Sequence, residues 1–296
     1  MSLLNITNDG LPNVLAVLHA RVLASKNAIH RDELLEAVAP EGVVKDEGKQ
    51  VRQTLRRWTE LGLFIETENM ISVLDRPSKV STGVLQTLAF TRRIACKYAL
   101  SDENNQEFWA AEGARAADLT RTLAWMMAQD AFRTRFGDLE RLESEQIENS
   151  DRRLMQNSTR KTGVGYWAEF LGFSRQPGGD IDPTVAVRDV LPEILGPGEG
   201  MSARDFVDRI AEQLPVLDGG RWQTAVLAEV SESALAPLQS GQVSTALSRA
   251  LLCLRATGEL LLQNRADTGS SIVLSGFQGI RPDLTFQWFS RPSVEA

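Results

Sequence analysis

Residues 49–74 limit what this chain can fold into more than any other stretch. With successive side chains about 100° apart around a helix, Val51, Leu55 and Trp58 share one narrow stripe. Lys49, Arg52, Gln53 and Arg56 collect on the opposite face, so a helix with a dry side and a basic side is expected. Gly62 stands where a left-handed helix stop belongs, residues 63–65 read as a short buried strand, and Glu68 with Asn69 supplies a turn before a second strand at 70–74.

A helix running into a two-stranded hairpin is the end of a winged helix-turn-helix, and its earlier helices are legible upstream. Residues 11–25 form an apolar helix with Pro12 in its first turn, a place where the missing N–H costs nothing. A second helix opens at residues 29–33. His30 is in its N-cap place, and Asp32 and Glu33 lie in the first turn, where the helix dipole favours acids. Leu34, Leu35 and Val38 give it a buried side. Winged helices place this third helix in a DNA groove or use the same surfaces to dock proteins, and fold alone does not choose. The basic face points to Lys49, Arg52, Gln53, Arg56 and also Arg57 as DNA contacts; a solvated surface is the other reading.

The chain has 296 residues, 43% hydrophobic and 24% charged, enough for two domains with filled cores. No run approaches the roughly 18 apolar residues of a membrane span, and the first ten residues lack a basic n-region, so a cytoplasmic chain is expected. Two cysteines, Cys96 and Cys253, and two histidines are too few for a zinc cluster, and no cofactor or metal is expected. The net charge of -7 is unlike that of a dedicated non-specific DNA binder, which confines any DNA contact to a local surface.

Further along, helices are expected over 82–100, with Ser81 or Thr82 as cap, and over 106–133. An acid run at 138–151 reads as a solvated helix or connector. Arg160 and Lys161, beside Gly163, Gly165, Tyr166 and Trp167, could track a nucleic-acid backbone; alternatively the glycines shape a turn that opens a buried helix. Ser202 is the expected cap of a helix at 203–214, and residues 221–230 read as helical again. The pattern of the first domain then recurs. Leu247, Leu251, Leu254 and Gly258 follow Val51, Leu55, Trp58 and Gly62 at one constant offset, and residues 260–262 and 272–274, joined by a loop at 265–269, parallel the first wing. Ser248 and Arg249 on this second helix, and Arg265 beyond it, are secondary nucleic-acid candidates beside Arg160 and Lys161, with a protein-facing role equally open. Residues 285–289 read as a terminal strand.

The expected fold is therefore mainly α with small β-hairpin wings, an α+β chain of two winged helix-turn-helix domains. These take residues 1–78 and 159–296, joined by a helical middle region at 79–158.

Three stretches carry a resemblance. They are residues 2–5 with Asp9, Gly10, Leu11 and Pro12; residues 51–55 through 61–64; and residues 214–220. Together they resemble the DpdG proteins of bacterial clusters for 7-deazaguanine modification of DNA and its linked restriction. The resemblance implies a component of a phage-defence apparatus acting beside helicase-like and nuclease-like subunits. It carries over no catalytic residue.

An enzyme is not expected. His19 lies among Leu15, Leu18 and Val22, where it reads as a packing residue, and neither a Gly-x-Ser-x-Gly elbow nor a His-Glu-x-x-His pair occurs. The leading expectation is a non-enzymatic subunit that contacts duplex DNA locally and meets other subunits of a defence complex. The alternative is a winged-helix docking module without DNA contact, with a homodimer among its partners.

Overall fold

The computed structural model describes residues 3–4, 11–43, 48–77, 83–110, 115–176, 179–231, 233–265, 271–277 and 279–293. The expected caps Ser81 and Thr82 and the loop residues 266–270 lie outside them. The fold is mixed α and β, with eleven α-helices and small antiparallel sheets among the described residues. The chain divides into two compact units, Met1–Leu119 with Asn157–Leu171 and Thr120–Gln156 with Gly172–Ala296.

In the first unit, α1 (Pro12–Ala24) starts on its proline and leads to β1 (Ile29–His30) and α2 (Arg31–Val38). His30 caps α2, its Nδ1 accepting from the Asp32 amide at 3.3 Å. α3 (Lys49–Glu60) follows, and Gly62 at φ 86° turns the chain out of it as the sequence requires. β2 (Ile65–Thr67) and β3 (Met70–Ser72) are joined through Glu68 and Asn69 at φ 51° and 63°, the left-handed pair that a tight hairpin demands. β3 lies centrally in a three-stranded sheet of order β1-β3-β2, and α4 (Val84–Ala99) comes next. Leu15, Leu18 and Val22 of α1, Leu34 of α2, Leu55 and Trp58 of α3, and Phe64 and Ile71 of the hairpin form one fully buried core.

The chain passes between units within α5 (Ala117–Met127), which is shorter than the helix expected over 106–133. α6 (Leu139–Gln146) follows, and α7 (Ser158–Phe170) belongs to the first unit. The reason is packing: the Trp167 ring lies 5.3 Å from the Trp58 ring, and a Cβ on Gly163 would come within 3.2 Å of the Leu4 side chain. Gly163 and Gly165 therefore sit inside a continuous helix instead of shaping a turn.

The second unit contains α8 (Thr184–Ile194), β4 (Gly200–Ser202), α9 (Ala203–Gln213), α10 (Arg221–Leu227), α11 (Thr245–Ala256), β5 (Leu261–Gln263), β6 (Ile272–Gly276), β7 (Gly279–Phe286) and β8 (Trp288–Ser290). Ser202 caps α9 by accepting from the Asp205 amide at 3.1 Å. The order α8, β4, α9, α11, β5, β8 repeats α1, β1, α2, α3, β2, β3, with α10 and the β6-β7 hairpin inserted. The register repeats too: Ile71 pairs with Ile29 and Glu66, and Phe289 pairs with Met201 and Leu262. Gly62 donates to Thr59 O at 3.0 Å and Gly258 to Arg255 O at 3.1 Å, while Phe64 and Leu260 each donate back into the helix at 3.2 Å.

One expectation is corrected by the pairing. Residues 260–262 do not form a hairpin with 272–274; β5 pairs with β8, and β6 pairs with β7. Phe289 decides this, since its fully buried ring packs edge-on against Phe206 at 5.0 Å and so draws residues 288–290 into the central strand.

Candidate functional site

Lys49, Arg52, Gln53 and Arg56 recur at three- and four-residue spacing, and the structure brings them to one face of α3. Val51, Leu55 and Trp58 are turned into the core, which holds that face outward. Lys49 and Arg52 are exposed and form no ion pair among the described residues, Gln53 is half-buried, and Arg56 is 72% exposed. Arg56 Nε also donates to Glu60 Oε1 at 3.0 Å, so part of its charge is already balanced.

Arg57 does not join this face. Its side chain is only 5% exposed and its Nη1 donates to Glu60 Oε2 at 3.0 Å, because position 57 lies beside Trp58 on the core flank. The hairpin that follows α3 carries Glu66 and Glu68, both exposed, with Glu66 3.6 Å from Arg31 Nε.

The corresponding face of α11 is covered by its own unit. Ser248 is fully buried and its Oγ accepts from the Ser275 amide of β6 at 2.8 Å. Thr245 Oγ1 accepts from the Ala131 amide at 2.9 Å. Arg249 donates to Ile181 O at 2.7 Å and lies over the Phe132 ring, 5.0 Å from its centroid. Ser248 is thus taken up by the fold, and Arg249 is half-buried and engaged within the unit. Arg265 lies over the Trp288 ring at 4.1 Å and is exposed. Arg160 and Lys161 are half-buried in the first turn of α7.

Glu143 and Asp218 are among the buried carboxylates that the sequence reading missed. Glu143, in the acid run read as solvated, accepts from the Leu154 and Met155 amides at 2.7 and 2.8 Å. Burial pushes its pKa up, more than those two donors pull it down. Asp218 takes both the amide and the hydroxyl of Ser244, and burial raises its pKa as well. Both tie distant backbone together. The signal for Asp218 in the sequence is its place before Gly219 and Gly220, a pair that marks a turn and says nothing of a buried acid.

Among the described residues no group of three or more His, Cys, Asp or Glu side chains is arranged to hold a metal ion, and no helix is long and apolar enough to cross a membrane. No curated protein and no solved structure matches the chain. A family model described as DpdG-like matches residues 1–268. That match takes in both copies of the helix-and-strand pattern as far as β5, and the chain belongs to the DpdG-like family.

Proposed function

We propose that this chain is a non-catalytic subunit of a bacterial Dpd-type DNA modification and restriction system, in which it contacts duplex DNA locally and binds partner subunits. Family membership supports the system. Each repeat is read as a winged helix, on the order of its elements and the shared register of its sheet.

One observation carries the DNA contact: the face of α3 bearing Lys49, Arg52, Gln53 and Arg56 is turned outward, whereas the matching face of α11 is covered by β6. Arg and Lys at that spacing meet successive phosphates or base edges when a helix enters the major groove. The overall charge of -7 keeps such binding weak away from this surface.

Equilibrium binding to a labelled duplex over a salt series tests the reading. Saturable binding is expected, with the Arg52→Ala, Arg56→Ala double variant binding more weakly and its salt slope smaller by about two units. Ser248→Ala serves as the control and should leave affinity unchanged. A duplex affinity identical in wild type and double variant would overturn α3 as the contact.

A second reading has its own observation. Glu66 and Glu68 on the hairpin face solvent where a wing would meet phosphates, which favours a basic protein partner over DNA. Under that reading the purified chain does not retard duplex even at low salt, and it co-purifies with other subunits of the system.

A further inference from the structure

The second unit carries a half-open cavity of about 860 Å³, a size that suits a small organic ligand. Its mouth gathers Leu227, Leu238 and Phe277, three large apolar side chains that are substantially exposed. Arg133 lies over the Phe277 ring at 5.1 Å and donates to the Phe277 carbonyl at 3.1 Å, which sets a guanidinium and an aromatic ring together on one wall. Arg133 and its neighbour Asp130, 3.6 Å away, are the only charged residues among the described lining, so the interior is close to neutral.

Gln223 decides what the interior can hold. It lines the cavity and is only 6% exposed, yet its side-chain amide has no hydrogen-bond partner among the described residues. The other wall glutamines are engaged: Gln129 and Gln146 bond to each other at 2.9 and 3.0 Å, and Gln242 donates to Ser275 at 2.8 Å. With no partner within the fold, that amide is left to present a donor and an acceptor side by side to the cavity.

We propose that this cavity binds a neutral planar heterocycle of the nucleobase type, stacked on the Arg133–Phe277 wall and hydrogen-bonded edge-on to Gln223. Aromatic and guanidinium planes combined with an amide edge are how single bases are recognised. A base of this chemistry comes either from a free nucleoside or from a nucleic-acid strand that presents it unpaired. The site does not depend on α3 touching DNA.

The test is calorimetric titration of the full chain with adenosine, guanosine, cytidine and thymidine, and with short single-stranded oligonucleotides beside matched abasic ones. Binding of at least one nucleoside, or of a base-bearing strand over its abasic counterpart, is expected. Gln223→Met keeps the volume and removes the hydrogen bonds, and should weaken that binding about tenfold. Phe277→Ala should weaken it independently. A nucleoside response assigns a free ligand; a response only to strands assigns an unpaired base. If no probe binds, or if Gln223→Met binds as wild type while its thermal midpoint shows it folded, the proposal fails.

Discussion

The Asp218 carboxylate accepts from both the amide and the hydroxyl of Ser244, 26 residues away, the hydroxyl at 2.7 Å. Ser244 Oγ in turn accepts from the Leu247 amide at 3.1 Å, so Asp218 holds the cap that starts α11. Asp218→Ala leaves the buried Ser244 amide unpaired and loosens the cap, and should cost about 2 to 3 kcal/mol. Asp218→Asn offers one acceptor where two donors point, so it should also destabilise, by about half as much. Urea unfolding midpoints of the two variants against wild type measure this. A loss below about 0.5 kcal/mol for the alanine variant would show that the pair is dispensable.

His19 ties the first unit's stability to pH. The Thr91 hydroxyl donates to the Thr87 carbonyl at 2.9 Å, so the His19 Nδ1–H donates to Thr91 Oγ1 at 2.8 Å. Nε2 is then the bare ring nitrogen, buried with no partner among the described residues, while the ring stacks on Phe90 and meets Phe64 edge-on. Burial lowers its pKa from 6.5 to about 4, against a smaller opposing pull from Asp75. Between those values the unfolded chain binds the proton and the folded chain does not, so stability rises with pH through the window and is lost as pH falls. From pH 7 to 5 the loss amounts to about 2 kcal/mol. His19→Phe should show a pH dependence flatter by that amount, read from denaturation midpoints at the two pH values. Equal slopes would place the acid sensitivity elsewhere.

How far the sequence was readable follows from the range of the forces involved. α3, the Gly62 stop and the Glu68-Asn69 turn depend on periodicity and on backbone angles that few residues tolerate, and both are local. The second hairpin was misread because residues 272–274 and 288–290 are both apolar and β-prone. Only the fit of Phe289 against Phe206 chooses between them, and that contact spans 83 positions of sequence that no local rule covers. The same limit hid α7, whose Trp167 reaches the first unit across the sequence of α4, α5 and α6. For the candidate site, the face of α3 was legible from spacing, but the burial of Arg57 and Ser248 was not. Each is decided by what lies next to the helix: Trp58's flank for Arg57, and an inserted strand for Ser248.

The two helix stops offer a direct comparison of the repeats. Gly62 and Gly258 sit at φ 86° and 74°, and a Cβ on Gly62 would meet only ordinary contact with Tyr98 at 3.4 Å, while one on Gly258 would meet nothing within 4 Å. Alanine at either position therefore suffers backbone strain and little steric clash. Each substitution should cost about 1 kcal/mol, and the two costs should agree within about 0.5 kcal/mol. Thermal or urea midpoints of the single variants measure it. A loss at Gly62 several times that at Gly258 would mean that the Tyr98 contact, and not the shared turn, dominates the first stop.

The hairpin carboxylates separate the two readings of α3. Glu66 and Glu68 are exposed on the hairpin that follows α3, and like charge near phosphate opposes binding over a distance comparable to the Debye length, about 10 Å at 0.1 M salt. If α3 enters a DNA groove, the Glu66→Gln, Glu68→Gln double variant should bind duplex several-fold more tightly at roughly 50 mM salt, and the gain should shrink as salt is raised. If the hairpin instead docks a basic partner, that variant should lose partner binding and leave duplex affinity as it was. Fluorescence anisotropy on a labelled duplex, run beside co-purification of the partner subunits with wild type and variant, reads both effects. The sign of the change is what matters, because a carboxylate that repels phosphate and one that attracts a basic protein respond to neutralisation in opposite directions.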